Sequence, residues 1–115
     1  MESCIFCKII GGEVSSEKIT ETDNFLVFRD MNEKAPGHSL VVPKTHIKSF
    51  LEMDRELYGE FMEVTKAATE KIMKDYKHES FNLIINDGEA AGQVVSHLHL
   101  HIIPRNVGDG YKICP

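Results

Sequence analysis

The 115-residue sequence predicts a single α+β domain in which an antiparallel sheet is crossed by one long helix. Five short segments rich in apolar and β-branched residues are separated by turn-forming residues, which is typical of strands. Only one longer stretch, from about Asp54 to about Tyr76, repeats apolar residues at helical spacing. The sequence shows no internal repeat, linker or low-complexity segment, so residues 1–115 are expected to fold as one domain.

Each element is predicted from an apolar run and the residues that bound it. Gly11-Gly12 ends a short N-terminal helix, and Pro36-Gly37 marks a loop. The predicted elements are a short helix over 5–10, a hairpin of strands around Ile19 and over 25–28, a strand over 39–42 that stops at Pro43, the long helix, a strand over 81–85 and a last strand, over 96–104, that ends at Pro104. A loop of small and polar residues over 86–93 precedes the last strand.

The long helix carries two apolar stripes. Asp54 is its predicted N-cap, and Glu56 in the first turn suits the positive end of the helix dipole. One stripe consists of Leu57, Phe61, Val64, Ala68 and Ile72, and the other of Tyr58, Met62, Thr65, Thr69 and Met73. A face this wide serves either the core alone or the core together with a partner subunit.

Charge and hydropathy restrict the partners of the chain. The net charge is −5 and no run of Lys or Arg occurs, so a polymeric nucleic acid is not expected. A single nucleotide is compatible with this charge, because backbone N–H groups, amides and imidazoles can hold one phosphate. No apolar stretch approaches the roughly 20 residues that span a bilayer, and no signal peptide is evident. We therefore expect a cytoplasmic protein with no membrane partner.

The three cysteines suggest a metal or redox site. Their odd number and a reducing compartment argue against a disulfide between them. Cys4 and Cys7 form a C-x-x-C pair, which fits a metal or redox site; the alternative is a pair of small buried hydrophobic residues. Cys114 is expected to be an ordinary thiol.

Three histidines at alternate positions are the most informative feature of the chain. Side chains of a strand point to opposite faces in turn, so His97, His99 and His101 are expected to share one face, with neighbouring imidazoles about 7 Å apart. The other face carries Leu98, Leu100 and Ile102. The sequence therefore predicts a strand with one face in the core and the other in a functional site.

Three such imidazoles could bind a metal such as zinc or could supply a nucleophile flanked by hydrogen-bond partners. The preceding loop adds the neutral amides of Asn86 and Gln93, and Gly88 and Gly92 allow a ligand to approach the backbone closely. A set of donors with few carboxylates favours an anion over a hydrated divalent metal.

Several segments together resemble one family. The chain contains the pattern His-φ-His-φ-His-φ-φ, with φ apolar, over residues 97–103, and it is similar to the Hint-like bacterial members of the histidine-triad (HIT) family over nearly its whole length. The matching segments are 4–10, 35–47, 91–93 and 101–105. The resemblance implies the HIT-like fold, and hydrolysis or transfer at the α-phosphate of a purine nucleotide such as an AMP derivative.

The resemblance also implies roles for individual residues. His99 would be the nucleophile that forms a nucleotidyl-histidine intermediate, His101 would bind the phosphate, and His38 would support the site from a neighbouring strand. The substrate-binding set would be Asp30, Asn86, Gln93, Val94, Val95 and His101. Asp30 matches the acceptor of the ribose hydroxyls, although a turn-capping role explains it equally well.

A structural zinc and a homodimer are the remaining implications. Related proteins hold zinc in a Cys₂His₂ site, which here would consist of Cys4, Cys7, His46 and His97. Four protein ligands would close the site, so the zinc would be structural, and no organic cofactor is expected. Pairing of two copies through the long helix would make a homodimer.

One position departs from the family pattern and keeps other functions open. Most Hint-like members have Ser or Thr after the Gly-Gln pair, where this chain has Val94, so the hydroxyl that helps to bind the phosphate and protonate the leaving group is lost. A purine nucleoside phosphoramidase is the leading hypothesis. The alternatives are a dinucleoside polyphosphate hydrolase, a nucleotide-binding regulatory module with little turnover, and a hydrolase in which all three triad histidines bind zinc.

Overall fold

In a computed structural model that describes residues 3–112, one antiparallel sheet has an α-helix on each of its two faces. The helices are α1 (Ile5–Ile10) and α2 (Tyr58–Tyr76), and the strands are β1 (Lys18–Glu21), β2 (Phe25–Arg29), β3 (Ser39–Pro43), β4 (Ser80–Ile85) and β5 (Leu100–Arg105). The strand order is β1-β2-β3-β5-β4, and every pairing is antiparallel. The predicted α+β architecture is confirmed.

The two faces of the sheet bury separate apolar clusters. The face toward α2 carries Phe25, Val27, Val41, Leu98, Leu100 and Ile102. The opposite face packs Leu26, Phe28, Leu40 and Val42 against Phe6 and Ile9 of α1. Alternate residues of one strand therefore enter different clusters. As predicted, Leu98, Leu100 and Ile102 lie in the core, which leaves the triad histidines on the face toward α1.

The start of the long helix differs from the prediction. A 3₁₀ turn over Arg55–Leu57 precedes α2, and Asp54 stands before that turn without a side-chain capping hydrogen bond. The prediction that Asp54 caps the long helix was therefore wrong, because a 3₁₀ turn intervenes, in which Asp54 accepts the Leu57 N–H through its backbone carbonyl at 3.0 Å. The predicted end at Tyr76 is correct, and Lys77 closes the helix in the left-handed region at φ 56°.

The last strand also begins and ends differently. β5 starts at Leu100, so His97 and His99 precede the strand that was expected to contain them. The Leu98 N–H donates instead to the Ile47 carbonyl at 2.7 Å, so it takes no part in the hydrogen bonds between the strands. Pro104 lies inside β5 rather than ending it. β3 pairs with β5 only as far as Ile102, so Pro104 has a neighbouring strand on one side only, where it pairs with Phe81 of β4.

Within residues 3–112, no helix combines the length and apolar character that a membrane span requires. Cys114, which was predicted to be an ordinary thiol, lies outside the described residues.

Candidate active site and metal centre

A cavity of about 430 Å³ opens on the face of the sheet that α1 covers. Its apolar wall comes from α1 and the underlying sheet and consists of Ile5, Phe6, Ile9, Phe28 and Leu40. Its polar end contains Asp30, His38, Asn86, His99 and His101, with Gly92, Val94 and Val95 of the preceding loop at the rim. An apolar slot with a few convergent polar groups is the usual form of a small-molecule site.

Strand pairing explains how the histidines of this cavity meet. Leu40 of β3 pairs with His101 of β5, so both side chains lie on the same face. His38 stands two residues before Leu40 and falls on that face too. The ring centroids of His38 and His101 are 5.2 Å apart, and those of His99 and His101 are 4.9 Å apart.

The backbone fixes the tautomer of His99. Its Nδ1 lies 2.7 Å from the His97 carbonyl oxygen, which can only accept a hydrogen bond. Nδ1 therefore carries the proton, and Nε2 keeps a free lone pair. Burial lowers the pKa of His99 below its ordinary 6.5, so the ring is neutral at pH 7 and its Nε2 can act as a nucleophile.

A chain of hydrogen bonds gives His101 the opposite role. The Lys34 N–H donates to His38 Nδ1 at 2.9 Å, so the proton of neutral His38 is on Nε2. That N–H donates to His101 Nδ1, also at 2.9 Å. Neutral His101 must then hold its own proton on Nε2, where it is available as a donor. The site thus places a hydrogen-bond donor beside a free lone pair on adjacent rings.

We expect the free energy of unfolding to fall in mild acid because of His101. Burial first, and then the neighbouring His99 and His38, lower the pKa of His101 to about 4 from 6.5. The unfolded chain takes up this proton near pH 6.5 and the folded protein only near pH 4, so stability is full above pH 6.5 and declines toward pH 4. His101 should contribute at most about 3 kcal/mol to this decline.

Urea unfolding at pH 7 and pH 5 tests this prediction. The His101→Gln variant has no titrating ring at this position and should lose less stability between the two pH values than the natural chain does. An equal loss in both proteins would contradict the assignment to His101.

The two carboxylate oxygens of Asp30 have different surroundings. Oδ1 accepts the Asn32 N–H at 2.9 Å and so caps a turn, which is one of the two roles expected from the sequence. Oδ2 lies 3.6 Å from His38 Nε2, and the residue lines the cavity. The geometry leaves this second oxygen available to a ligand hydroxyl.

The structure gives Gln93 a different place from the one the sequence suggested. Its amide Oε1 accepts the Gly88 N–H at 2.7 Å, and its Nε2 donates to the carbonyls of Lys48 and Val95. The side chain therefore braces the loop from within and does not line the cavity that Asn86, Val94 and Val95 border. From the sequence, Gln93 was expected among the direct phosphate ligands. Sequence spacing does not show in which direction an amide side chain points, so this inward orientation could not be predicted.

Four residues from distant parts of the chain form a second cluster beside the cavity. Sγ atoms of Cys4 and Cys7 and ring nitrogens of His46 and His97 all lie within 4.8 Å of one another. The Cys4 Sγ–His97 Nδ1, Cys7 Sγ–His46 Nδ1 and Cys7 Sγ–His97 Nδ1 distances are 3.4, 3.3 and 3.6 Å. Ligands of a tetrahedral zinc with normal bond lengths are separated by about 3.6 Å between sulfur and nitrogen. The three sulfur–nitrogen distances are close to this value, so the donor set fits zinc.

The backbone also prepares His97 for such a site. Its Nε2 lies 2.8 Å from the Pro43 carbonyl and must donate to it, which leaves Nδ1 as the free nitrogen that faces the thiols. Carbonyl partners of this kind orient histidine ligands in metal proteins.

The geometry argues against one metal held by all three triad histidines. Only His97 belongs to the Cys/His cluster. His99 Nδ1 is engaged by a carbonyl, and His101 Nδ1 accepts from His38. A second group of Asp30, His38 and His101 is close enough to hold a metal, but the Lys34 N–H leaves the proton of His38 on the nitrogen that would have to bind it.

The apolar wall of the cavity was missed in the sequence. Residues 5–10 were interpreted only as a short helix, whereas Ile5, Phe6 and Ile9 form one side of the cavity. The continuous apolar run of β2 could have indicated this wall. A strand that is apolar at every position is covered on both faces, and because α2 can cover only one face, a second apolar segment had to cover the other.

Comparison with known proteins identifies the family. A model of the HIT domain matches residues 11–108. Protein hit of Bacillus subtilis is 41% identical over 96% of this chain and 77% of its own length. Adenosine 5'-monophosphoramidase hnt1 of Schizosaccharomyces pombe is 38% identical over 90% of this chain and 74% of its own. The crystal structure of a zinc-bound histidine triad family protein from Mycobacterium smegmatis matches with a TM-score of 0.89 and 34% identity, covering 98% of this chain and 82% of that one. The chain belongs to the HIT family.

Proposed function

We propose that this protein hydrolyses purine nucleotides at the α-phosphate through a nucleotidyl-His99 intermediate, with nucleoside phosphoramidates as the leading substrate class. The single observation that carries the proposal is the tautomer pair in the cavity, a free lone pair on His99 Nε2 beside an N–H on His101 Nε2. The name of the S. pombe relative, an adenosine 5'-monophosphoramidase, supports the choice of substrate.

The first step is attack by His99 on phosphorus. The Nε2 lone pair forms a bond to the α-phosphorus while the bond to the leaving amine breaks, and that electron pair departs with the amine nitrogen, which takes up a proton from water. The ring gains positive charge, and the Nδ1–H bond to the His97 carbonyl stabilises it. The second step is attack by water on the same phosphorus, with loss of a proton to solvent; the phosphorus–nitrogen electron pair returns to Nε2 and the nucleoside monophosphate is released.

Neutral donors stabilise the charge that develops on the phosphoryl oxygens. The His101 Nε2–H and the Asn86 amide border the polar end of the cavity, and donors aimed at developing charge in a buried site are a major source of rate acceleration. The nucleoside would occupy the apolar wall, with a ribose hydroxyl donating to Asp30 Oδ2.

A direct assay separates the candidate functions. Purified protein is incubated with adenosine 5'-phosphoramidate or with a dinucleoside polyphosphate, and AMP release is followed by chromatography. AMP from the phosphoramidate supports the proposal, and release from the dinucleotide alone favours the polyphosphate hydrolase. Tight AMP binding without turnover of either compound would favour the regulatory module.

Val94 is expected to limit turnover of substrates with amine leaving groups. This side chain is 91% exposed at the rim of the cavity and has no group that can donate a proton. The Val94→Ser variant should raise kcat for the phosphoramidate severalfold by adding a hydroxyl donor. Val94→Ala shortens the side chain without adding a hydroxyl and is the matched control; an equal gain in both variants would show that size, not proton donation, limits the rate.

We also propose that the Cys/His cluster holds a structural zinc ion. The close approach of two thiols and two imidazoles supports this, as does the zinc-bound relative from M. smegmatis. Zinc would tie the N-cap of α1 to the segment before β5 and would not take part in the reaction.

A homodimer is proposed from an uncovered apolar surface at α2 and β4. Tyr58 and Met62 of α2 are about half exposed, and so are Phe81 and Leu83 of β4. β4 is an edge strand, and Leu83 pairs with Ile102, whose side chain faces α2, so both parts lie on the same side of the sheet.

Sedimentation equilibrium at micromolar concentration should give twice the monomer mass. A Leu83→Glu, Met62→Glu double variant places charge in this surface and should sediment as a monomer. A natural chain that sediments as a monomer would contradict the dimer.

A further inference from the structure

The short helix α1 takes part in two sites at once. Cys4 is its N-cap and Cys7 lies in its first turn, and both thiols belong to the Cys/His cluster. Between them in the sequence is Phe6, which is buried and lines the nucleotide cavity. A helix of six residues is not stable alone, so these attachments and its packing on the sheet hold it in place. The two thiols thus help to set the position of Phe6, which lies between them in the sequence.

Phe6 contacts the imidazole that we propose as the nucleophile. The ring centroids of Phe6 and His99 are 5.0 Å apart at an interplanar angle of 78°. Phe6 also meets His97 at 5.8 Å and 74°, and Phe28 at 5.7 Å and 67°. Edge-to-face contacts at these distances are attractive and directional. Phe6 is therefore held between the floor of the cavity and two histidines of the triad.

His97 joins the same two sites through its backbone. Its imidazole is one of the four cluster ligands, while its carbonyl accepts the Nδ1–H of His99 at 2.7 Å. The cluster thus reaches His99 by two routes, through the Phe6 ring and through the His97 carbonyl. The hydrogen bond fixes which nitrogen carries the proton, and the contact with Phe6 restricts rotation about χ2, a torsion that is otherwise broad for histidine.

We infer that Phe6 is a positioning residue that holds the His99 ring in line with the α-phosphate, and that the Cys/His cluster keeps Phe6 in place. The inference rests on the proposed function. Misplacement of a reacting group by about 1 Å can cost on the order of 10²-fold in rate. Loss of the Phe6 ring should therefore lower kcat, beyond any effect on nucleotide affinity through the apolar wall.

Ile9 provides a matched control for the apolar wall. It lies one turn after Phe6 in α1, is also buried and lines the same wall. We expect Phe6→Leu to lower kcat by roughly tenfold to a hundredfold with a smaller change in AMP affinity. Ile9→Ala, a substitution in the same binding wall, should mainly raise KM and weaken AMP binding, and it should lower kcat less than Phe6→Leu does. Phe6→Met, which fills a similar volume with a flexible chain, is the second variant should Phe6→Leu fail to fold.

A spectroscopic measurement tests the inference independently of turnover. ¹⁵N NMR of histidine-labelled protein should show one Nδ1–H tautomer for His99 in the natural chain and in Ile9→Ala. In Phe6→Leu, in Phe6→Met and in a Cys4→Ser, Cys7→Ser double variant, the His99 signals should broaden or shift toward the average of two tautomers.

Two results would overturn the inference. One is a kcat in both Phe6→Leu and Phe6→Met equal to that of the natural chain, and the other is His99 NMR signals that do not change in either variant. A natural chain that turns over no nucleotide but keeps one ordered His99 tautomer, lost in the Phe6 variants, would refute the proposed function while retaining the positioning role.

Discussion

The His99→Ala variant is expected to abolish turnover while still binding nucleoside monophosphate. The groups that surround the phosphate and the apolar wall remain when this side chain is removed, so AMP affinity measured by calorimetry should change little. Turnover requires the Nε2 lone pair, and its loss removes the covalent route altogether. The rate should therefore fall further than the roughly 10²–10³-fold that the loss of one transition-state donor costs.

Two variants calibrate this result. His101→Ala removes a phosphate donor but leaves the nucleophile, and it should retain measurable activity. His78→Ala removes a histidine that does not line the cavity and should leave the rate unchanged. Natural hydrolysis in His99→Ala would exclude the nucleotidyl-histidine route and would favour a metal-bound water as the attacking group.

Loss of the Cys/His cluster is the second large effect. Replacing Cys4 with alanine removes one of four proposed zinc ligands and the N-cap of α1 in a single change. The cluster joins residues that are 90 or more positions apart in the chain, so its loss should lower the melting temperature by about 10 °C or more. Metal analysis should find one zinc per natural chain and none in the variant.

His101→Ala distinguishes this cluster from a catalytic metal site. His101 is not a member of the cluster, so the variant should keep its zinc. A protein purified without metal, whose melting temperature is indifferent to chelators, would show that Cys4 and Cys7 are only small buried side chains.

The sequence predicted the strands and the core because both follow from local periodicity. Leu98, Leu100 and Ile102 alternate with histidines, and this alternation survives even though the ladder of β5 begins only at Leu100. The boundaries were less predictable, because they depend on pairing partners. The Leu98 N–H bonds to Ile47, about 50 residues earlier, and no local pattern shows that contact.

The candidate site was predicted in its residue types but not in its connections. The tautomer of His101 depends on a chain from the Lys34 backbone through His38, which strand register alone brings together. Gln93 turned inward to brace its loop, and spacing could not indicate this. Phe6 was hidden in a short apolar run whose second role appears only when α1 is placed over the histidines.

Intact-mass spectrometry immediately after mixing with adenosine 5'-phosphoramidate tests the central claim most directly. At neutral pH, which preserves a phosphorus–nitrogen bond, the natural chain should gain the mass of one adenylyl group, and fragmentation should assign it to His99. The His99→Ala variant should show no adduct. An adduct that fragmentation assigns to another residue of the natural chain, or one that persists in His99→Ala, would contradict the account.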